Sequence, residues 1–169
     1  QTLAQEDSEA ILGRIFQMIQ QACEGTDPSE VLGIAMVAPG PIDELGRLHD
    51  PPNLPGMKEF SLGERIQDRF QIPSYAGNDG NLAAFGELRF GAGRGLEELI
   101  YMSIGTGVGG GIISDGKLLL GAHGYAAEIG HQTLVPDGPL CACGQPGHLE
   151  ALASGPSIAR QAKQRLQAG

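Results

Sequence analysis

Leu99-Ile-Tyr-Met-Ser-Ile104, then Gly105-Thr106-Gly107, then Val108-Gly-Gly-Gly-Ile-Ile113 is the stretch on which the architecture depends. Two apolar, β-branched runs separated by a glycine-bearing turn spell an antiparallel pair. Ser114-Asp115-Gly116-Lys117 is a second turn signal, leading into a third run at 118–120. A three-stranded meander is therefore expected here. Five glycines in the seven residues 105–111 exceed what a hairpin turn needs. Backbone amides left open by glycine can approach phosphate oxygens, and Thr106 adds a hydroxyl donor. An ordinary turn remains the plainer alternative. A dinucleotide fingerprint is excluded, because no helical pattern follows the glycines.

Upstream, Gly91-Ala92-Gly93-Arg94-Gly95 marks the clearest boundary, giving two parts, 1–93 and 94–169. Before it come a helical pattern at 5–24, an apolar run at 31–38 stopped by Pro39-Gly40-Pro41, and a proline-rich loop at 50–56. A helix over 61–70 is expected, with Ser61 and Glu64 as a capping box. A short strand at 74–77 leads to Asn78-Asp79 and an alanine-rich helix near 80–90. Strands and helices alternate throughout, so the class is α/β. An aspartate at a helix start caps it. The carboxyl end of a strand is equally where α/β sheets bind ligands, and a carboxylate there can accept a proton during phosphoryl transfer.

Downstream, Glu128-Ile129-Gly130-His131 precedes Cys141-Ala142-Cys143-Gly144 and His148-Leu149-Glu150. His131, Cys141, Cys143 and His148 can make a tetrahedral Cys2His2 zinc site with no open position, hence a structural one. The plainer alternative is two buried cysteines and two surface histidines. Glycine and proline at 138–139 and 144–147 favour a metal-held loop, since such segments seldom pack a core unaided. Glu128 and Glu150 flank the ligands without being needed by the metal. A helix over about 155–166 ends the pattern.

These segments together resemble the ROK group of sugar kinases and sugar-responsive repressors. The family pattern is Glu-x-Gly-His, then Cys-x-Cys-Gly-x-x-Gly-Cys-x-Glu. This chain matches it except at His148, where the family usually has a third cysteine. Asn78-Asp79-Gly80-Asn81-Leu82, followed by Ala83, is similar to the family's catalytic Asn-Asp-x-Asn-Ala. The resemblance implies an actin-like ATPase (ribonuclease-H-like) fold of two lobes with a zinc-held loop. It implies ATP, Mg2+ and structural Zn2+ as cofactors, a hexose as substrate, and a homodimer. Asp79 becomes the general base for a sugar 6-hydroxyl and Asn78 a sugar ligand. Glu128, His131 and Glu150 become ligands to hydroxyls around carbons one to three. Gly105, Thr106, Gly107 and Gly109 become the second phosphate loop. The activity implied is a glucokinase-like phosphotransferase. The alternative is the sugar-sensing part of a ROK repressor, and a weaker one a zinc-stabilised scaffold without ligand. The family's earlier Asp-x-Gly-x-Thr loop has no match here, so the chain reads as the middle of such a protein.

Composition narrows the field further. A formal net charge of −9 argues against a nucleic-acid surface on this chain. Residues 1–20 carry charge throughout and read as neither signal peptide nor membrane span. Three cysteines suit a reducing compartment, with cytoplasm the default. Cys23 is expected to be a small buried hydrophobe in a helix. His49 and His123 are expected to be surface or loop residues.

Overall fold

The computed structural model describes residues 7–49, 51 and 54–169. They form two compact units: Gln1–Asp79 with Leu120–Tyr125, and Gly80–Leu119 with Ala126–Gly169.

In the first unit, Asp7 opens α1 (Ser8–Ala22) by accepting the Ala10 amide at 2.8 Å. Ile11 and Leu12 bury the inner face of α1, with Ile15, Phe16 and Ile19 partly covered beside them. Cys23 is the half-buried C-cap, one step beyond the helix expected to bury it. β1 (Ile34–Ala38) is followed by the short antiparallel pair β2 (Arg47–Leu48) and β3 (Phe60–Ser61), then α2 (Leu62–Phe70) and β4 (Ser74–Asn78). β1 and β4 pair in parallel, Ile34 opposite Ser74 through Ala38 opposite Asn78. Parallel strands need a long crossover, and the segment through α2 supplies it. Leu48, Met57, Leu62 and Ile66 are 3% exposed or less and join Ile11 and Leu12 in one core. Truncating Leu48 or Ile66 to alanine is expected to cost about 2–5 kcal/mol.

The expected capping box is not formed. Ser61 pairs opposite Arg47 as the end of β3, and its side chain makes no cap hydrogen bond. Strand pairing has taken the backbone geometry a cap requires. Of the proline-rich loop, positions 50, 52 and 53 lie outside the described residues, and Pro55–Met57 makes a 3-10 turn. Residues Leu120–Tyr125 belong to this unit because Gly124 lies directly on Ile42, whose carbonyl a Cβ would overlap.

The second unit begins inside α3 (Asp79–Phe90), not at the 91–95 glycines. β5 (Leu99–Ile104), β6 (Val108–Ser114) and β7 (Lys117–Leu118) form the antiparallel meander, with Leu99 opposite Ile113 and Ile104 opposite Val108. The third strand starts and ends earlier than 118–120. Asp115 and Gly116 both take positive φ, 50° and 71°, as a two-residue hairpin turn between right-twisted strands demands. α3 sits against β6 without room for side chains between them. A Cβ on Gly80 would overlap the Gly110 carbonyl, and one on Gly111 would lie 2.6 Å from the Ala84 methyl. Ala84, Leu88 and Ile113 make the core of that contact. Gly91 and Gly93 both donate to the Glu87 carbonyl at 3.0 Å, so the glycine segment is the C-terminal wrap of α3. A short helix not anticipated from the sequence, α4 (Leu149–Ala153), then precedes α5 (Gly155–Ala168). Among the described residues no helix is long and apolar enough to cross a membrane.

Candidate functional site: a four-donor cluster and a glycine turn

At the carboxyl end of the β1–β4 pair, Asn78 is half-buried and Asp79 exposed. Because Ala38 lies opposite Asn78, the Pro39-Gly40-Pro41 turn and the Asn78-Asp79 step leave the sheet at the same edge. Asn78 Nδ2 donates to the Gly40 carbonyl at 3.2 Å. That contact fixes the amide's orientation, so its oxygen has a defined direction. Gly40 is a participant that sequence reading missed; its place after a buried strand was visible, its partner was not.

The segment at 42–49 holds a second polar group in this unit. Asp43 accepts the amides of Leu45 and Arg47 at 2.9 and 3.0 Å. His49 Nε2 lies 3.2 Å from Asp43 and Nδ1 3.3 Å from Glu59, with the His123 ring packed edge-on at 6.3 Å between centroids. Both histidines lie in loops as expected, His123 exposed and His49 half-buried, and these partners are what the sequence did not supply. Burial raises the Asp43 carboxyl, but the Arg47 and Leu45 amides and the His49 ring outweigh it and hold it below the usual carboxylate value.

In the second unit, a hairpin-like loop brings His131, Cys141, Cys143 and His148 together, with ligand atoms all within 4.8 Å of one another. Leu140 bridges Pro146, Thr133 bridges His148, and the Cys141 amide donates to the Gln145 carbonyl at 2.9 Å. Gly147 takes φ 70° with its Cα against the Val135 carbonyl, where a side chain would collide. That turn delivers His148 inward, 7% exposed, beside Cys141 at 3%. His131 Nδ1 stands 3.4 Å from His148 Nδ1 and 3.9 Å from Cys141 Sγ, and His148 Nδ1 stands 3.3 Å from Cys143 Sγ. A tetrahedral zinc, with bonds of about 2.3 Å to sulfur and about 2.0 Å to nitrogen, separates its ligands by roughly 3.3–3.8 Å. The donor set and its spacing fit that ion. Burial pushes the Cys141 thiol up, and the adjacent Cys143 thiol and Glu150 carboxylate add to the effect. A bound cation reverses that balance by favouring the thiolate.

The flanking carboxylates lie on either side of this cluster. Glu128 Oε2 is 3.7 Å from His131 Nε2, the ring nitrogen that faces away from the other donors. Glu150 Oε1 is 3.7 Å from Cys141 Sγ, while Glu150 Oε2 accepts the Val108 amide at 2.9 Å. The glycine turn is thus tied to the cluster, a link with no signal in the sequence. The Gly105 amide donates to the Gly107 carbonyl, and the Gly155 amide donates to the Gly105 carbonyl at 2.8 Å. The glycines divide by purpose. Gly105 and Gly109 face open space, Gly107 faces Glu150, and Gly110 and Gly111 are occupied by packing against Ile129 and α3. Thr106 is exposed at the tip.

The whole chain is similar to known proteins. The model of the ROK family matches residues 1–168. Glucokinase of Streptomyces coelicolor is 40% identical over 161 residues, covering 95% of this chain and 50% of that protein. The xylose repressor of Caldicellulosiruptor bescii is 36% identical over 167 residues, covering 97% of this chain and 42% of that protein. Among solved structures, a ROK family glucokinase from Streptomyces griseus in complex with glucose and AMPPNP superposes with a TM-score of 0.77 and 40% identity, covering 99% of this chain and 53% of that one. The chain spans about half the length of the curated relatives it matches. With the motif segments present and the match running over its whole length, the chain belongs to the ROK family.

Proposed function

We propose that this chain is the central part of an ATP-dependent hexose kinase of the glucokinase type, with an actin-like fold whose lobes divide between the Asn78-Asp79 segment and the glycine turn. The observation that carries the reading is the grouping of Glu128, His131 and Glu150 around the Cys2His2 quartet, with Glu150 bonded to the glycine turn. Zinc, if bound, would be held by His131, Cys141, Cys143 and His148, whose two thiolates would balance its charge. It would act as a fixed staple with no open position for a reacting water. His131 presents Nδ1 to the quartet, which leaves Nε2 with Glu128 to meet sugar hydroxyls. Glu150 joins them as a sugar ligand, its Oε2 already holding the Val108 amide. Asn78, its Nδ2 fixed on the Gly40 carbonyl, is the sugar ligand of the first unit.

Asp79 accepts the proton of the 6-hydroxyl as that oxygen attacks the γ-phosphorus of ATP. The bond from the γ-phosphorus to the bridging oxygen breaks, and ADP leaves with Mg2+. Gly105, Thr106, Gly107 and Gly109 offer amides and a hydroxyl to the phosphate, and the open space beside Gly105 and Gly109 is what such an approach needs. The S. griseus relative, bound to glucose and AMPPNP, favours glucose and ATP as the pair. A cytoplasmic homodimer goes with this reading.

The similarity to a xylose repressor favours a second reading, a sugar-sensing module without phosphotransfer. The test that separates them is phosphorylation of a hexose panel by the full-length protein with MgATP. Turnover supports the kinase. Sugar binding without turnover supports the sensor.

A further inference from the structure

Two contacts converge on one short turn, and a third ties one of them to the four-donor cluster. The Glu150 carboxylate accepts the Val108 amide at 2.9 Å on one side of residues 105–107. The Gly155 amide donates to the Gly105 carbonyl at 2.8 Å on the other. The same Glu150 reaches Cys141 Sγ with its second oxygen at 3.7 Å. Glu150 sits on α4, whose N-cap is His148, one of the four donors. α4 then passes through the buried Ser154 into Gly155. Both struts on the glycine turn therefore grow from the segment that starts at a metal ligand.

We propose that Glu150 is a positioning residue that couples the four-donor cluster to the glycine turn, so that metal binding orders the backbone facing phosphate. The phosphate part rests on the function proposed above; the coupling itself does not. α4 is only five residues long. Ser157, Arg160 and Gln161 of α5 hold its Glu150, Ala151 and Leu152 carbonyls. Its start, by contrast, is set by the Leu149 amide on the Gln132 carbonyl, between the donors His148 and His131. With the cation bound, His148 and Cys141 are fixed, and Glu150 is held where Val108 can donate to it. Without the cation, four donors within 4.8 Å of one another lose what holds them together. The first turn of α4, which follows His148 and carries Glu150, then loosens while its end stays bonded to α5. The Val108 amide is then left without its acceptor in a position that is otherwise buried.

Amide hydrogen exchange on this chain tests the coupling directly, with Zn2+ loaded or removed by EDTA. Exchange at Val108 and Gly155 is expected to speed up by about tenfold or more on zinc removal. Glu150→Ala should give the same acceleration at Val108 with zinc still bound, and EDTA should add little to it. Glu150→Gln keeps an oxygen able to accept the amide and should restore protection, which a generally weakened fold would not do. Ile112 and Ile113 in β6 serve as the reference, and their exchange should not change. Two results would overturn the proposal: Val108 unmoved by EDTA once zinc loss is verified, or β6 losing protection to the same degree as Val108, which would make the metal a general staple. A zinc-responsive Val108 in a protein that transfers no phosphate would keep the coupling and remove the kinase reading alone.

Discussion

The two ring nitrogens His131 Nδ1 and His148 Nδ1 lie 3.4 Å apart, each with a thiol sulfur beside it, at 3.9 and 3.3 Å. A single proton can bridge two imidazoles, but it cannot satisfy two further sulfur donors aimed at the same point. A soft divalent cation does so with its ordinary bond lengths. The chain should therefore purify with one zinc, countable by elemental analysis. His148→Ala should weaken retention of that zinc by at least about tenfold, and His148→Cys should keep it. Equal retention in the alanine variant would remove His148 from the ligand set.

The glycines of 105–111 should separate by experiment as they do by geometry. Gly111→Ala drives a methyl toward Ala84 and the Gly80 carbonyl, and should lower folding stability by about 1–3 kcal/mol. Gly109→Ala adds a methyl to open space and should change stability by about 0.5 kcal/mol or less. In the full-length protein the second variant should nevertheless raise the KM for ATP. Urea denaturation and nucleotide titration report the two effects separately.

Much of this was legible. Asp115-Gly116 announced a tight hairpin, and the apolar runs on either side of the glycine turn set β5 and β6. The quartet was visible as residue types at a spacing. What local pattern could not carry is contact between distant segments. Ser61 carries a cap signature, yet its pairing with Arg47 was decided by β2. Gly80 and Gly111 looked like helix and loop glycines, and are in fact where α3 touches β6. The 91–95 glycines gave the clearest boundary in the sequence, whereas they wrap the end of α3 inside the second unit. His49 found Asp43 and Glu59 only because β2 and β3 pair.

Asp43 sets a pH dependence. Its carboxyl is held below the usual 3.8, so it contributes stability above that value, and the contribution is lost as pH falls through its lowered folded value. Between pH 7 and pH 3 the native protein should lose stability more steeply than Asp43→Asn. Asp43→Ala, which strips the acceptor from two amides, should cost about 1–3 kcal/mol at pH 7. Parallel slopes for native and Asp43→Asn would show that the group contributes nothing through its charge.

The central claim is phosphotransfer through Asp79. The decisive measurement is a coupled phosphorylation assay on the full-length protein with MgATP and a panel of hexoses, run beside Asp79→Asn. The native protein should turn over a glucose-like hexose. The variant should fall by about 10²–10⁴-fold while still binding the sugar by calorimetry. Turnover in the variant near the native rate would contradict the role of Asp79. No turnover in the native protein, with sugar binding intact, would contradict the kinase and leave the sensor.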